Sequence, residues 1–261
     1  MSGTALDTAV WRALQARADL PPLRARAGLW LEQARVGSIE PGLARRLVDA
    51  GLPIAAETPG WRVIADDDAD AAFVRIAKWL HREGLTARWR DELLAVTDAE
   101  GLCRDRIERA AARPLGIATR AVHLVGRAPG GGVWVQQRAF DKATDPGLWD
   151  TLMGGLQSAD ESDAQTLERE TWEEAGLRVA DLPGLHAAGH VRVRRPVGEG
   201  YMVEHIEVVV ATVPAGLASA NRDGEVERFE CLVPGALRER IELETFTLEV
   251  ALILGALLAK S

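Results

Sequence analysis

Between Gly154 and Leu177 the chain reads GGLQSADESDAQTLERETWEEAGL, and no other stretch constrains the fold as tightly. Glu170, Glu173 and Glu174 stand at i, i+3 and i+4. On a helix of 3.6 residues per turn their carboxylates therefore leave one face. Crowded carboxylates repel one another, and a hard divalent cation with oxygen ligands, Mg2+ or Mn2+, would relieve that repulsion while gripping phosphate oxygens. Three glutamates alone also describe an exposed acidic helix face. The flanks tip the balance: Gly154-Gly155 lets backbone approach a ligand closely, and Gly176 stands where a left-handed residue ends a helix. The spacing predicts a helix that follows a glycine loop and stops at Gly176.

The chain has 261 residues, 47% hydrophobic and 27% charged, which is the composition of a globular protein with one large domain or two modest ones. Up to about residue 115, Leu, Ala and Arg recur at helical spacing over residues 8–34, 43–50 and 70–83. Short strands are expected at 61–65 and 93–96. From Arg120 the texture turns to β, with runs at 121–125 and 133–137 flanking the hairpin signal Pro129-Gly130-Gly131-Gly132. Further strands are expected at 191–195, 204–212 and 226–233, and a last helix at 242–258. A boundary near Gly116 follows, separating residues 1–116 from 117–261. The acidic run at 65–70 reads as a solvated loop and helix start, not as a metal site.

Lys and Arg total 31 against 39 Asp and Glu, a net charge of -8. That balance repels phosphate backbones and anionic lipid, so neither nucleic acid nor membrane is an expected partner. Cys103 and Cys231 are far apart, and no basic-then-apolar leader opens the sequence; a reducing, cytoplasmic setting is expected. The longest apolar run, residues 250–259, is about half of the ~20 residues a membrane span needs and reads as a buried helix.

Gly155, Glu161 and the run Arg169-Glu170-Thr171-Trp172-Glu173-Glu174-Ala175-Gly176-Leu177 together resemble the Nudix box, with every fixed position filled. Two neighbours depart from the family pattern. Thr171 stands where an aliphatic residue is preferred and is expected at a partly buried position. Asp160 stands where glycine is common; Asp tolerates left-handed backbone better than most residues, and both departures are expected to have small effects on stability only. The resemblance implies an α+β protein: a C-terminal Nudix α/β/α sandwich with a mixed sheet, preceded by a smaller, mainly helical α+β domain. It also implies hydrolysis of a small-molecule diphosphate with Mg2+, or Mn2+, as cofactor. The implied metal ligands are Glu170, Glu173, Glu174 and the carbonyl of Gly154, with Arg169 and Glu161 paired to support them. A general base is expected from a later loop, Glu225 first, with Glu227 and Glu204 behind it. His190 and His205 stay outside the catalytic set.

Beyond the box, residues 36–39, 89–96, 107–110 and 115–117 with His123-Leu124 resemble the N-terminal domain of one Nudix subgroup, the one fused to fungal thiamine pyrophosphokinase. Residues 134–138, 146–150 and 223–226 extend that resemblance. It implies removal of a phosphate from thiamine diphosphate, with preference for its oxidised, damaged forms, as metabolite repair. A flat ring needs an aromatic or apolar surface, and the chain carries eight Trp against one Tyr. Trp134 and Trp149, with Arg138, are the expected substrate contacts, and Trp61 and Trp89 come next. Trp172, nearly opposite the glutamate face, is expected to pack on the protein body. The N-terminal domain is expected to cap the site or to form a homodimer surface. Two other readings stand beside this one: hydrolysis of a nucleoside diphosphate derivative such as ADP-ribose, and a Nudix-fold module that binds ligand without turnover. Isopentenyl diphosphate isomerase chemistry would need a catalytic cysteine, and neither Cys103 nor Cys231 lies beside the box.

Overall fold

A computed structural model describes residues 6–64, 69–216 and 219–259. Residues 65–68 of the acidic run lie outside the described residues. The chain opens with α1 (Thr8–Ala18), whose first amides at Ala9 and Val10 are capped by the Asp7 carboxylate. Helical spacing carries the expected helix to residue 34, but Pro21-Pro22 end it, because a proline lacks the amide that would continue the ladder. The segment beyond forms an antiparallel hairpin of β1 (Ala27–Leu31) and β2 (Ala34–Ile39). Then come α2 (Pro41–Asp49), β3 (Ile54–Glu57), β4 (Gly60–Val63) and α3 (Ala69–Arg82). The four strands make one sheet in the order β2-β1-β4-β3. A second hairpin, β5 (Leu93–Thr97) with β6 (Cys103–Glu108), leads into the short α4 (Arg109–Ala112). Leu29, Ile39, Leu47, Phe73, Ile76, Leu80 and Ile107, all fully buried, form the core of this unit.

A larger sheet follows, built from β7 (Ala118–Arg127), β8 (Val133–Arg138), β9 (Trp149–Asp150), β10 (Met153–Leu156), β11 (His186–Val197), β12 (Gly200–Thr212) and β13 (Val226–Leu232). Its main path runs β11-β12-β7-β8-β13, with β10 on β7 and β9 on β8. Only the β12–β7 pairing is parallel, so the sheet is mixed. One face carries α5 (Asp163–Ala175) over Val122, Leu124 and Met153. The other carries α6 (Pro234–Glu242) and α7 (Leu248–Leu258) over Ala121, Val125, Ile206 and Val208. The alternation along β7 sends successive side chains to the two helix layers, giving an α/β/α sandwich.

The last helix, expected over 242–258, spans only 248–258, and α6, which ends at Glu242, is a separate helix before it. Between them Glu244 is left-handed (φ 54°) and Thr245–Thr247 runs beside β9: the Trp149 amide donates to the Thr245 carbonyl (2.9 Å), and the Thr247 amide donates back to Trp149 (3.0 Å). Buried Phe246 fills the gap, and Thr247 caps α7. Helix α7 is buried over most of its length, as its apolar run suggests. Among the described residues no helix is long and apolar enough to cross a membrane. The position near Gly116 separates the two smaller sheets from the larger one, but not every helix. Leu14 and Ala18 of α1 join the core beneath α7, and the Leu20 amide donates to Arg194 of β11.

Candidate active site

Local sequence fixes α5 at both ends. Ser162 and Gln165 form a reciprocal capping box, the Ser162 hydroxyl accepting from the Gln165 amide (3.3 Å) and the Gln165 side chain accepting from the Ser162 amide (2.9 Å). Gly176 closes the helix in the left-handed region (φ 65°), and the Leu177 amide turns back to the Thr171 carbonyl (3.2 Å). Gly154 and Gly155, expected in a loop, lie in β10, where the missing side chain serves a close approach: a Cβ on Gly155 would stand 2.1 Å from Cδ of Glu170.

Arg169 is the hub of the helix face. Its guanidinium grips both carboxylate oxygens of Glu161 (2.6 and 2.8 Å) and also reaches Glu170 (2.8 Å), Glu173 (3.1 Å) and the Leu156 carbonyl (3.3 Å). The two-toothed contact is the geometry a planar guanidinium favours. Arg169, with the Thr166 hydroxyl and the Ser158 amide, holds the Glu161 carboxyl at about 2. The ordinary unfolded value is near ~4.3, so the Glu161 contribution to stability is complete above that value and is lost as the pH falls toward 2. Urea unfolding of wild type and Glu161→Gln should therefore show a constant stability gap from about pH 7 to pH 5 that closes on further acidification. A gap independent of pH would remove the ion pair as its cause.

Glu174 is almost wholly buried. Its carboxylate accepts from Nε2 of Gln136 (2.7 Å) and from the Gly154 amide (3.0 Å), with Nζ of Lys142 at 3.8 Å. Burial pushes its carboxyl up to about 8 against the pull of Lys142. Burial likewise raises Glu170 to about 7 despite Arg169. Both carboxylates line a cleft, whereas Glu173, bound to Arg169 and 43% exposed, does not. Among the described residues no three carboxylate, imidazole or thiol groups converge tightly enough to enclose a metal ion. The chemistry of the donor set fits a hard divalent ion: two carboxylates, buried Glu174 and part-buried Glu170, face solvent space and are under-compensated by the cations beside them.

Glu225 lines the same cleft, with its carboxylate 2.6 Å from Nζ of Lys142. Burial alone would raise its carboxyl, but the hydrogen bond and charge of Lys142 outweigh that and hold it below the ordinary range. Its turn is fastened to α5. The Ala220 amide donates to Ala175 (2.8 Å), the Arg222 amide donates to Glu173 (3.0 Å), and the Arg222 guanidinium stacks on Trp172 at 3.8 Å. Trp172 is thus 40% exposed and covered by an arginine rather than packed on the protein body.

Glu204 also lines the cleft, while Glu227 is exposed outside it. His190 pairs with Glu207 on the outer sheet (2.5 Å) and His205 is exposed; neither reaches the cleft. The tryptophans go elsewhere. Trp149 is a core residue beneath the Arg240 guanidinium, held there by the Thr245–Thr247 segment, and Trp134 points into the core under α5. Trp61 packs on the N-terminal core, and Trp89 donates to Asp91 (2.7 Å). Arg138 does line the cleft, but its guanidinium is engaged by Asp150 (3.0 Å) and by the carbonyls of Thr144 and Asp145. The cleft instead holds residues that sequence reasoning did not place in the site: Lys142, His123, and Arg90, Arg109 and Arg113 from the N-terminal unit. His123 is buried with Nδ1 3.0 Å from the Thr151 hydroxyl, and burial lowers its pKa.

The two departures from the box sit differently in the structure. Asp160 is not left-handed; its carboxylate pairs with Arg106 of β6, and the adjacent Ala159 amide donates to Leu93 of β5 (2.8 Å). A side chain at 160 therefore ties the loop before α5 to the N-terminal hairpin. Thr171 is fully buried, not partly, and among the described residues its hydroxyl has no hydrogen-bond partner. Thr171→Val, which replaces an unsatisfied hydroxyl by a methyl of the same shape, should stabilise the protein by about 1 kcal/mol in urea unfolding. A loss of stability would mean that the hydroxyl is satisfied.

The NUDIX domain family matches residues 118–248. Nudix hydrolase 20, chloroplastic, of Arabidopsis thaliana is 29% identical over 174 residues, 65% of this chain and 46% of that protein. Nudix hydrolase 24, chloroplastic, of the same plant is 26% identical over 216 residues, 79% of this chain and 59% of that protein. Both matches are longer than the matched domain and so reach into the N-terminal half. The chain spans about half the length of the curated relatives it matches. The crystal structure of DR0079 from Deinococcus radiodurans superposes with a TM-score of 0.52 at 18% identity, covering 65% of this chain and 98% of that one, which is agreement in fold.

Proposed function

The chain belongs to the Nudix family, and from that premise we propose that it is a divalent-metal-dependent hydrolase that removes the terminal phosphate from thiamine diphosphate, or from its oxidised forms, to leave the monophosphate. The observation that carries this reading is the pair of carboxylates, buried Glu174 and part-buried Glu170, the latter braced by Arg169, facing a cleft rimmed with arginines. Glu170, Glu174 and the Gly154 carbonyl would hold the ion, Mg2+ foremost, and Glu173 would join them only by leaving Arg169. When bound it supplies charge neutralisation and Lewis-acid polarisation at a phosphoryl oxygen.

The protein's own groups do the rest. Arg90, Arg109 and Arg113 neutralise the diphosphate from the side of the N-terminal unit, which acts as a cap. Water attacks the terminal phosphorus, the bond to the bridging oxygen breaks, and the bridging oxygen leaves on the monophosphate. Glu225 takes the proton of the attacking water, and Lys142 keeps its carboxylate ionised for that task. No protein nucleophile enters. Two free cysteines, Cys103 and Cys231, accord with a reducing compartment.

The test is phosphate release with Mg2+ from thiamine diphosphate, its oxo and oxy forms, ADP-ribose and diadenosine polyphosphates. Preference for the thiamine compounds supports the reading. Turnover of the nucleotides alone discards the substrate, and turnover of none discards the hydrolase in favour of a ligand-binding module.

A further inference from the structure

A second cavity opens beside the cleft, between the N-terminal unit and the β7–β12 pair. Leu94 of β5, Ile117, Leu156 of β10 and Met202 of β12 give it apolar walls. Three of these, Leu94, Ile117 and Met202, are buried, so the walls are fixed by core packing rather than by mobile surface groups. Both cavities share Arg90, Arg109 and Arg113 at their common rim, and they share Leu156 and Met202, so the apolar slot is continuous with the cleft. Arg88, Thr119 and Thr144 also line the slot, and Glu204, which stands where slot and cleft meet, is the one carboxylate among its described lining residues. The Glu204 carboxylate accepts one hydrogen bond from the Thr119 hydroxyl (3.1 Å). Burial and the nearby Glu249 charge press its carboxyl up to about 7, with Arg113 opposing.

This arrangement separates two kinds of recognition. The arginine rim suits phosphates, whose oxygens accept from guanidinium donors. A carboxylate at the junction, against the apolar walls, would repel phosphate and instead rewards an N–H donor, because an acceptor short of partners in a low-dielectric setting is costly until it is paired. We propose that the slot holds the organic group of the diphosphate and that Glu204 reads an N–H donor on it. The substrate class is then a diphosphate ester of a compact, flat nitrogen heterocycle that carries an amino or ring N–H group. Glu204 is on this account a specificity residue, not a reserve general base, and half of the specificity pocket comes from the N-terminal unit. The inference rests on the hydrolase reading above and narrows it.

The two can fail separately. Thiamine monophosphate and inorganic pyrophosphate represent the two halves of the ligand, and each is titrated calorimetrically into the full chain in EDTA, alongside steady-state kinetics with thiamine diphosphate and Mg2+. For Glu204→Gln the dissociation constant of thiamine monophosphate and the KM of thiamine diphosphate should rise about tenfold or more, with a smaller change in kcat. Pyrophosphate binding should not weaken. Thr119→Val, which removes the hydroxyl that orients Glu204, should move the same two constants in the same direction and stands in if the glutamine variant does not fold. Equal losses for thiamine monophosphate and pyrophosphate, or no loss for either, would overturn the proposal, as would a wild-type protein that binds pyrophosphate but not thiamine monophosphate. Binding of thiamine monophosphate through Glu204 without any hydrolysis would sink the hydrolase reading and leave the slot standing.

Discussion

Glu174→Gln abolishes nearly all turnover while the protein stays folded. The substitution keeps the size of the side chain, and an amide oxygen can still accept from Gln136 and Gly154, the two donors that hold the carboxylate now. What disappears is the charge. A ligand to a catalytic ion carries several kcal/mol of transition-state stabilisation, so kcat/KM should fall by about three orders of magnitude. Stability should move the other way. Burial already pushes the Glu174 carboxyl up to about 8 in the metal-free protein, so a neutral isostere removes a desolvation penalty. Melting in EDTA should therefore be unchanged or higher, and Mn2+ titration should show weakened binding. Turnover within tenfold of wild type would take Glu174 out of the metal set.

Gly155→Ala is the second large effect, and it acts through Glu170. The new methyl would sit 2.1 Å from Cδ and 2.3 Å from Cγ of that side chain, well inside contact distance. Glu170 cannot step aside without breaking its bond to Arg169, and β10 cannot shift without disturbing its pairing to β7. Misplacing a reacting group by about 1 Å costs on the order of a hundredfold in rate, and overpacking costs about 1–3 kcal/mol. Both losses should appear together in kinetics and urea unfolding. Gly130→Ala is the control, since a Cβ there meets nothing within 4 Å. Wild-type kinetics in Gly155→Ala would mean that Glu170 has another resting place.

The contrast between α5 and the tryptophans explains what can be read from sequence. Capping residues, the i, i+3, i+4 glutamates and the terminal glycine act over one or two turns, so the helix and its charged face are local properties. Whether Trp134 or Trp149 meets a ligand depends on strand parity and on which neighbour each strand chooses, and neither is local. Trp149 is claimed by Thr245–Thr247, nearly a hundred residues away in the chain. The arginine rim has the same origin: Arg90, Arg109 and Arg113 reach the cleft only after two sheets have been brought together. The hairpin at 27–39 was obscured for a simpler reason, since Leu and Ala at three- and four-residue intervals suit a helix until Pro21-Pro22 interrupt it.

Helix α1 lies against α7, so the first described element of the chain packs on the last. Topologically the N-terminal unit is then an insertion rather than an appendage. It leaves the sandwich near Leu20, which is hydrogen-bonded to β11, and returns at β7, the centre of the larger sheet. A body held at both ends has lost most of its freedom to swing, and the Asp160–Arg106 pair adds a third point of attachment beside the glutamate helix. The arginines it presents to the cleft are therefore held by the same contacts that tie the N-terminal unit to the sandwich.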